Sequence, residues 1–281
     1  MLCSSPVSAG DLPVPPFELA SRVGCLENAE DPTALYEAIG NGTKETLLAA
    51  LPEGYSLAGK RVLDFGCGAG RTLRHFVTED TGAEFWGCDI DAPSIEWLHQ
   101  NIPSVNAFTN AEVPPLDQPD GKFDVIYCIS VFTHLTRHWA EWLLEMHRLL
   151  APGGLLLVTY MGRGFSQEIA GEDWDEDRVG MMVLAPGQGW DKGGPMVFHS
   201  EWWLRSHWGR AFDFLSLTEA GFATIDPDYG QGLAVLRRKD VELGPDDLRK
   251  LSDDPREAPA LDHNLDRLMS ELEWLRPQLS I

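Results

Sequence analysis

The chain has 281 residues, 43% of them hydrophobic, with 10 Trp, 12 Phe, and 44 acidic against 22 basic side chains for a formal charge of −22. That apolar content suits one elaborated domain with a packed core and excludes a disordered chain. The charge excludes duplex nucleic acid and disfavours an anionic membrane as partner, since both draw on Lys and Arg contacts and the longest basic run is Arg237-Arg238-Lys239.

The start, Met1 to Pro6, has no basic segment and no long apolar stretch, and no run approaches the ~20 apolar residues of a membrane span. Five cysteines (Cys3, Cys25, Cys67, Cys88, Cys128) form no C-x-x-C pair. The expectation is a cytoplasmic, reduced protein without a secretory signal, disulfide framework or structural zinc.

Residues 1–45 are rich in Pro, Gly and small polar residues and read as a cap segment with a helical patch at 32–39. A helix at 43–51 leads into a main domain, taken as 46–240. Strands are expected at 61–65, 84–88, 105–109, 123–130 and 155–160, with helices at 71–78, 93–101 and 137–150 between them. The Ala151-Pro152-Gly153-Gly154 run reads as a turn. Such alternation implies an α/β fold: a Rossmann-like, doubly wound, mostly parallel sheet, with ligands at the carboxyl ends of its strands.

Residues 161–210 break the rhythm, being rich in Gly, Trp and acid, and a loop so long reads as a lid inserted between strands five and six. Two further strands at 211–217 and 232–238 have the spacing of an antiparallel pair. The charged tail, 241–281, ends in a helix whose leucines at 261, 265, 268, 272, 275 and 279 alternate spacings of four and three. Packing onto its own domain is one reading of that seam, and a homodimer through the C-terminal helix is the other.

The segment Val62-Leu63-Asp64-Phe65-Gly66-Cys67-Gly68-Ala69-Gly70-Arg71 ends a strand in an acid and follows it with alternate glycines. Side chains there would block a ligand that approaches the backbone, and the helix start beyond offers unpaired N–H groups. A nicotinamide dinucleotide would want G-x-G-x-x-G, but the third position falls on Arg71 or Leu73, and Asp64 would face a pyrophosphate. A cationic ligand favours that acid instead.

The D-x-G-x-G-x-G arrangement resembles motif I of class I S-adenosylmethionine-dependent methyltransferases. Phe123 to Leu135 resembles the fourth strand and its loop in that family, and Leu149 to Leu156 the Pro-Gly-Gly turn before strand five. Residues 60–160 carry the resemblance, which continues more weakly to Arg238 in the manner of bacterial small-molecule and glycan methyltransferases. It implies S-adenosylmethionine as cofactor and S-adenosylhomocysteine as product, with Asp64, Gly66, Cys67, Gly68 and Gly70 in the cofactor loop. It further implies Asp89 as ribose ligand, Ile90 against adenine, Asn110 and Ala111 near the adenine amino group, and Ser130 on the cofactor rim. Asn110 stands where many relatives have Asp and keeps an acceptor oxygen without the charge.

His134, just past the fourth strand, is a candidate base for an acceptor hydroxyl, its other reading being a helix or loop cap. His199 is a second candidate, with a helix-cap role as its alternative. Tyr36, Tyr160 and Trp202 are candidate acceptor-binding aromatics, against ordinary core packing. The acidic run 172–177 reads as solvated surface, so no metal is assigned.

The function these readings favour is methyl transfer to a hydroxyl of a sugar, glycan or other polyhydroxylated small molecule, because acids accept hydroxyl hydrogen bonds and aromatic faces stack on sugars. N- or carboxyl-methylation of a secondary metabolite is the runner-up, followed by a non-catalytic cofactor binder and a nicotinamide oxidoreductase.

Overall fold

The computed structural model describes residues 12–23, 26, 28–78, 81–189 and 193–276. Cys3, Cys25 and the last seam leucine, Leu279, lie outside them.

A short helix α1 (Phe17–Ala20) precedes a long helix α2 (Pro32–Ala50). Asp31 starts α2, its carboxylate accepting from Ala34 N at 3.0 Å, with Pro32 in the first turn, where a missing N–H costs nothing. The helical patch and the helix expected separately at 32–39 and 43–51 are thus one element. Gly40 lies between the two, and a Cβ there would lie 2.2 Å from the Arg71 carbonyl oxygen, so the residue serves close packing inside a continuous helix.

The alternation then follows: β1 (Arg61–Phe65), α3 (Leu73–Val77), β2 (Glu84–Asp89), α4 (Ala92–Asn101), β3 (Asn106–Thr109), β4 (Phe123–Cys128), α5 (Trp139–Leu149) and β5 (Leu150–Tyr160). β5 is longer than expected: Pro152 and Gly153 fall within it rather than in a turn, with Gly153 at φ 72. Next come β6 (Met181–Leu184), β7 (Met196–His199), α6 (Glu201–His207), β8 (Phe212–Thr218), β9 (Gly232–Arg238), α7 (Pro245–Arg249) and α8 (Glu257–Leu275).

Seven strands form one sheet in the order β3-β2-β1-β4-β5-β9-β8. β1 pairs in parallel with β2 and β4, placing Asp64 beside Gly87 on one side and Tyr127 on the other. β3 adds in parallel to β2, and β8 and β9 run antiparallel with a bulge between Phe214 and Ser216. The fold is the expected Rossmann-like α/β arrangement, and strand order reverses between β1 and β4, the switch point at which such sheets bind ligands.

The chain forms two compact units, cut differently from the composition-based segments: one holds the chain up to Ile129 with Arg148–Leu157, the other Ser130–His147 with Val158–Ile281. The first is cored by β1, β2 and β4, where Phe76 lies 5.5 Å from Phe85 and 5.7 Å from Tyr127 between ring centres.

In the second unit the 161–210 stretch is built rather than loop-like. β6 and β7 form an antiparallel pair, Met181 opposite His199, and Trp203 of α6 stacks on His207 at 4.3 Å. His207 also faces the Leu248 carbonyl through Nδ1 (2.7 Å) and Glu257 through Nε2 (3.1 Å), which fastens the start of α8 to α6. Asn264 of α8 accepts from Val183 N of β6 at 3.0 Å. No helix among the described residues is long and apolar enough to cross a membrane.

Candidate functional site

In the first unit Asp64, the penultimate residue of β1, is 3% exposed, and burial pushes its carboxyl up to about 8, with the neighbouring Asp89 charge adding to the rise. The chain then turns sharply. Gly66 N and Cys67 N both donate to the Cys88 carbonyl, at 2.8 and 3.0 Å. Gly68 and Gly70 adopt φ 52 and 78, the left-handed region that favours glycine, and a Cβ on Gly70 would strike Leu98 Cδ1 at 2.4 Å. Cys67 is buried and its thiol is pushed well up by that burial, which leaves it an inert core residue.

Asp89, at the end of β2, is tied to this loop. Gly68 N donates to its Oδ2 at 2.7 Å, and Asp91 N donates to its Oδ1 at 2.8 Å. The Ile90 amide is a third backbone donor to this carboxylate, which offers about four acceptor positions and so keeps room for a further donor. Burial raises the Asp89 pKa, and these amides oppose the rise. Ile90 beside it is half-buried.

Asn110 N donates to the Asp89 carbonyl at 3.1 Å. Asn110 Nδ2 donates to the carbonyl of Ala111, an exposed residue, at 2.8 Å, whereas its Oδ1 is shielded from water and meets no donor among the described residues. The structure therefore brings Asp64, the glycine loop, Asp89 and Asn110 together at the carboxyl ends of β1, β2 and β3.

Sequence reasoning missed two arginines that brace this cluster. Arg74, fully buried in α3, donates to the carbonyls of Leu12 (2.7 Å) and Pro13 (2.9 Å) and pairs with Glu37 at 3.2 Å. Arg22 pairs with Asp91, two residues past Asp89. Partners 37 to 69 residues apart leave no local signal.

In the second unit Ser130, just past β4, holds φ 58, an uncommon conformation for a residue with a side chain. Its N donates to Thr159 Oγ1 at 2.8 Å, and its Oγ accepts from Gln231 Nε2 at 2.6 Å. Gln231 is a further residue that sequence reasoning missed, and its Oε1 is shielded and meets no donor among the described residues.

His134 lies half-buried with Nδ1 2.7 Å from the Pro195 carbonyl. That acceptor assigns the proton to Nδ1 and leaves a lone pair on Nε2, while burial lowers the ring's pKa. This is the tautomer a base needs.

Four expectations change. His199 is 1% exposed, packed 5.1 Å from the Trp203 ring and 5.6 Å from that of Trp208, with neither nitrogen partnered among the described residues. Burial drives its pKa to about 3, so it is a neutral core ring rather than a second base.

Tyr36, Tyr160 and Trp202 are 1%, 1% and 5% exposed, and their polar ends are committed: to Ala69 O (3.5 Å), Thr218 O (3.0 Å) and Glu176 O (2.8 Å). Each packs as a core residue with its donor committed. The acidic run borders a cleft of ≈ 450 Å³ with five carboxylates, Trp174 and His263 on its walls. No metal-holding set of three His, Cys, Asp or Glu occurs among the described residues.

A family model described as a methyltransferase domain matches residues 39–181. The chain is 32% identical over 126 residues to phthiotriol/phenolphthiotriol dimycocerosates methyltransferase 1 of Mycobacterium ulcerans, covering 44% of each chain. It is 28% identical over 166 residues to the chloroplastic tocopherol O-methyltransferase of Arabidopsis thaliana, covering 52% of this chain and 47% of that one. It is 32% identical over 122 residues to a ubiquinone biosynthesis O-methyltransferase of Pseudomonas aeruginosa, covering 40% and 49%. The chain spans less than half the length of these curated relatives.

Among solved structures, an S-adenosylmethionine-dependent methyltransferase from Mesorhizobium loti superposes with a TM-score of 0.53 at 18% identity, over 72% of this chain and 100% of that one. A complex of the Trm112 methyltransferase activator and a methyltransferase from Haloferax volcanii gives 0.56 at 16% identity, over 80% and 99%. At such identities the likeness is one of fold.

Proposed function

The chain belongs to the class I S-adenosylmethionine-dependent methyltransferases, and from that premise we propose that it transfers the methyl group to a hydroxyl of a small, polyhydroxylated molecule. The observation that carries the cofactor part of this reading is the placement of Asp89, whose carboxylate keeps room for a further donor, beside Asn110, whose Oδ1 is shielded and meets no donor among the described residues. Vicinal ribose hydroxyls suit the first and an adenine amino group the second.

The residues present fit S-adenosylmethionine, which supplies an electrophilic methyl group when bound. Asp64, Gly66, Gly68, Gly70, Asp89, Ile90 and Asn110 would hold it, with the Asp64 carboxyl beside its cationic end. Ser130 is held by Thr159 and Gln231 within the second unit. His134 Nε2 takes the proton from the acceptor oxygen as that oxygen attacks, and alignment supplies much of the remaining acceleration.

Two observations support an oxygen acceptor. The tocopherol and ubiquinone relatives are named as O-methyltransferases. The acid-lined cleft beside Trp174 has the chemistry that meets sugar hydroxyls and faces.

The test is calorimetric titration with S-adenosylhomocysteine and, in parallel, NADH, followed by transfer of labelled methyl to pools of glycosides, phenols and amines. Binding of the first ligand alone and label on glycosides are expected. Label on amines alone would overturn the acceptor class, and binding of NADH alone would overturn the cofactor.

A further inference from the structure

Helix α8 has two unlike faces. One docks on its own unit: Ala260 is 5% exposed, Asn264 accepts from Val183 N, and Arg267 pairs with Glu172 at 2.6 Å. The other carries Leu261, Leu265, Met269 and Leu272, which are 44%, 50%, 57% and 58% exposed. Spacings of four, four and three set these four on one stripe of the helix. Four large apolar side chains aligned on a single helix are not the scattered exposure ordinary for a surface.

The seam Leu261-Leu265-Leu268-Leu272 alternates spacings of four and three. That is the period of a helix facing another helix, and α8, 19 residues and so about 28 Å long, offers it a straight run. We propose that the exposed leucine face of α8 is a self-docking surface, covered by α8 of a second copy of this chain in a parallel pair.

Charge complementarity favours that occupant. With Leu265 and Leu272 at the a positions and Leu261 and Leu268 at d, Glu271 falls at g and Arg276 at the following e. In parallel register, Glu271 of one copy meets Arg276 of the other across the seam, twice by symmetry. The preceding g and e positions are Asn264 and Met269, which bring no repulsion. A basic helix of another protein, or a lipid surface, would have no use for the heptad register.

The full chain is tested by light scattering from about 1 to about 100 µM, a range chosen to bracket micromolar association. The mass should rise from the 31.2 kDa of one chain towards twice that value. The dimer should persist at high salt, because apolar contact along the leucine seam is not screened.

Leu265→Glu with Leu272→Glu should abolish the dimer and leave the melting temperature unchanged, since both side chains are exposed. Leu265→Cys, at an a position, should cross-link two copies under mild oxidation where the unsubstituted chain does not. A monomer throughout, or a dimer that survives the double glutamate, overturns the proposal. A dimer in which Leu265→Cys fails to cross-link overturns the parallel register.

Discussion

The Gly68 amide donates to Asp89 at 2.7 Å, so the glycine loop after β1 is stitched to the end of β2 by the same carboxylate that we assign to the ribose. The loop's shape and a ligand's anchor are one group, and perturbing either disturbs the other.

Asp64 should set a pH dependence. Its carboxyl titrates near 4 in the unfolded chain and is raised to about 8 when folded. A raised folded value means stability fully present below about 4 and lost as pH climbs through about 8. Melting curves without ligand should therefore fall over that window, and Asp64→Asn should flatten them. Measured above about pH 8, where the Asp64 carboxyl is ionised, the same substitution should weaken S-adenosylmethionine roughly tenfold or more, since a bond to a charged group is worth about 1.5–3 kcal/mol. Stability would rise while binding falls, the trade-off expected of a functional strain.

Asn110→Leu should reduce S-adenosylhomocysteine affinity about five- to tenfold, the worth of about one hydrogen bond. Its Oδ1 has no donor among the described residues, so melting of the free protein should hardly change. A large loss of stability with unchanged affinity would reassign the residue to the fold.

His134→Gln should lower kcat by about 10²- to 10⁴-fold, the usual worth of a positioned base. Burial holds the ring's pKa below its ordinary value, so the native rate should level off below about pH 6.5 and fall in more acid solution. The variant's residual rate should lose that acid limb, while calorimetry reports unaltered cofactor binding.

His199→Phe should leave the rate intact. The folded pKa of about 3 lies below the unfolded value near 6.5, so the contribution is fully present above about 6.5 and lost as pH falls towards 3. Urea midpoints of the variant should decline less between pH 6 and pH 4 than those of the native chain. A rate loss of a hundredfold would restore His199 as a catalytic candidate.

Gly40→Ala should cost about 1–3 kcal/mol of stability, because the new Cβ meets a backbone carbonyl that has little room to yield. The effect reads directly as a lowered urea midpoint.

The β-α alternation, the strand-end acids and the glycine loop were legible because each is written locally, in periods of two and 3.6 and in residues that only close ligand approach explains. What stayed hidden is non-local. Gly153 read as part of a turn because composition alone cannot distinguish a turn from a strand that holds a glycine at positive φ. Gln231 finds Ser130 from 101 residues away, and Arg74 reaches Leu12 from 62. The insertion after β5 mixes short strands with several short helical segments and so has no sustained period to detect. His199 looked reactive by residue type; only burial shows it to be inert.

The Arg74 brace bears on where this protein can be shortened. The family match opens at residue 39, yet Leu12, Pro13, Arg22, Tyr36 and Glu37 all reach forward to the glycine loop or its flanks. A fragment cut at that homology boundary would remove the Leu12 and Pro13 carbonyls and the Glu37 carboxylate from a buried guanidinium, together with the Tyr36 hydroxyl that donates to Ala69. Shortening therefore has to keep these upstream residues, although the stretch that gives the family its likeness begins only at residue 39.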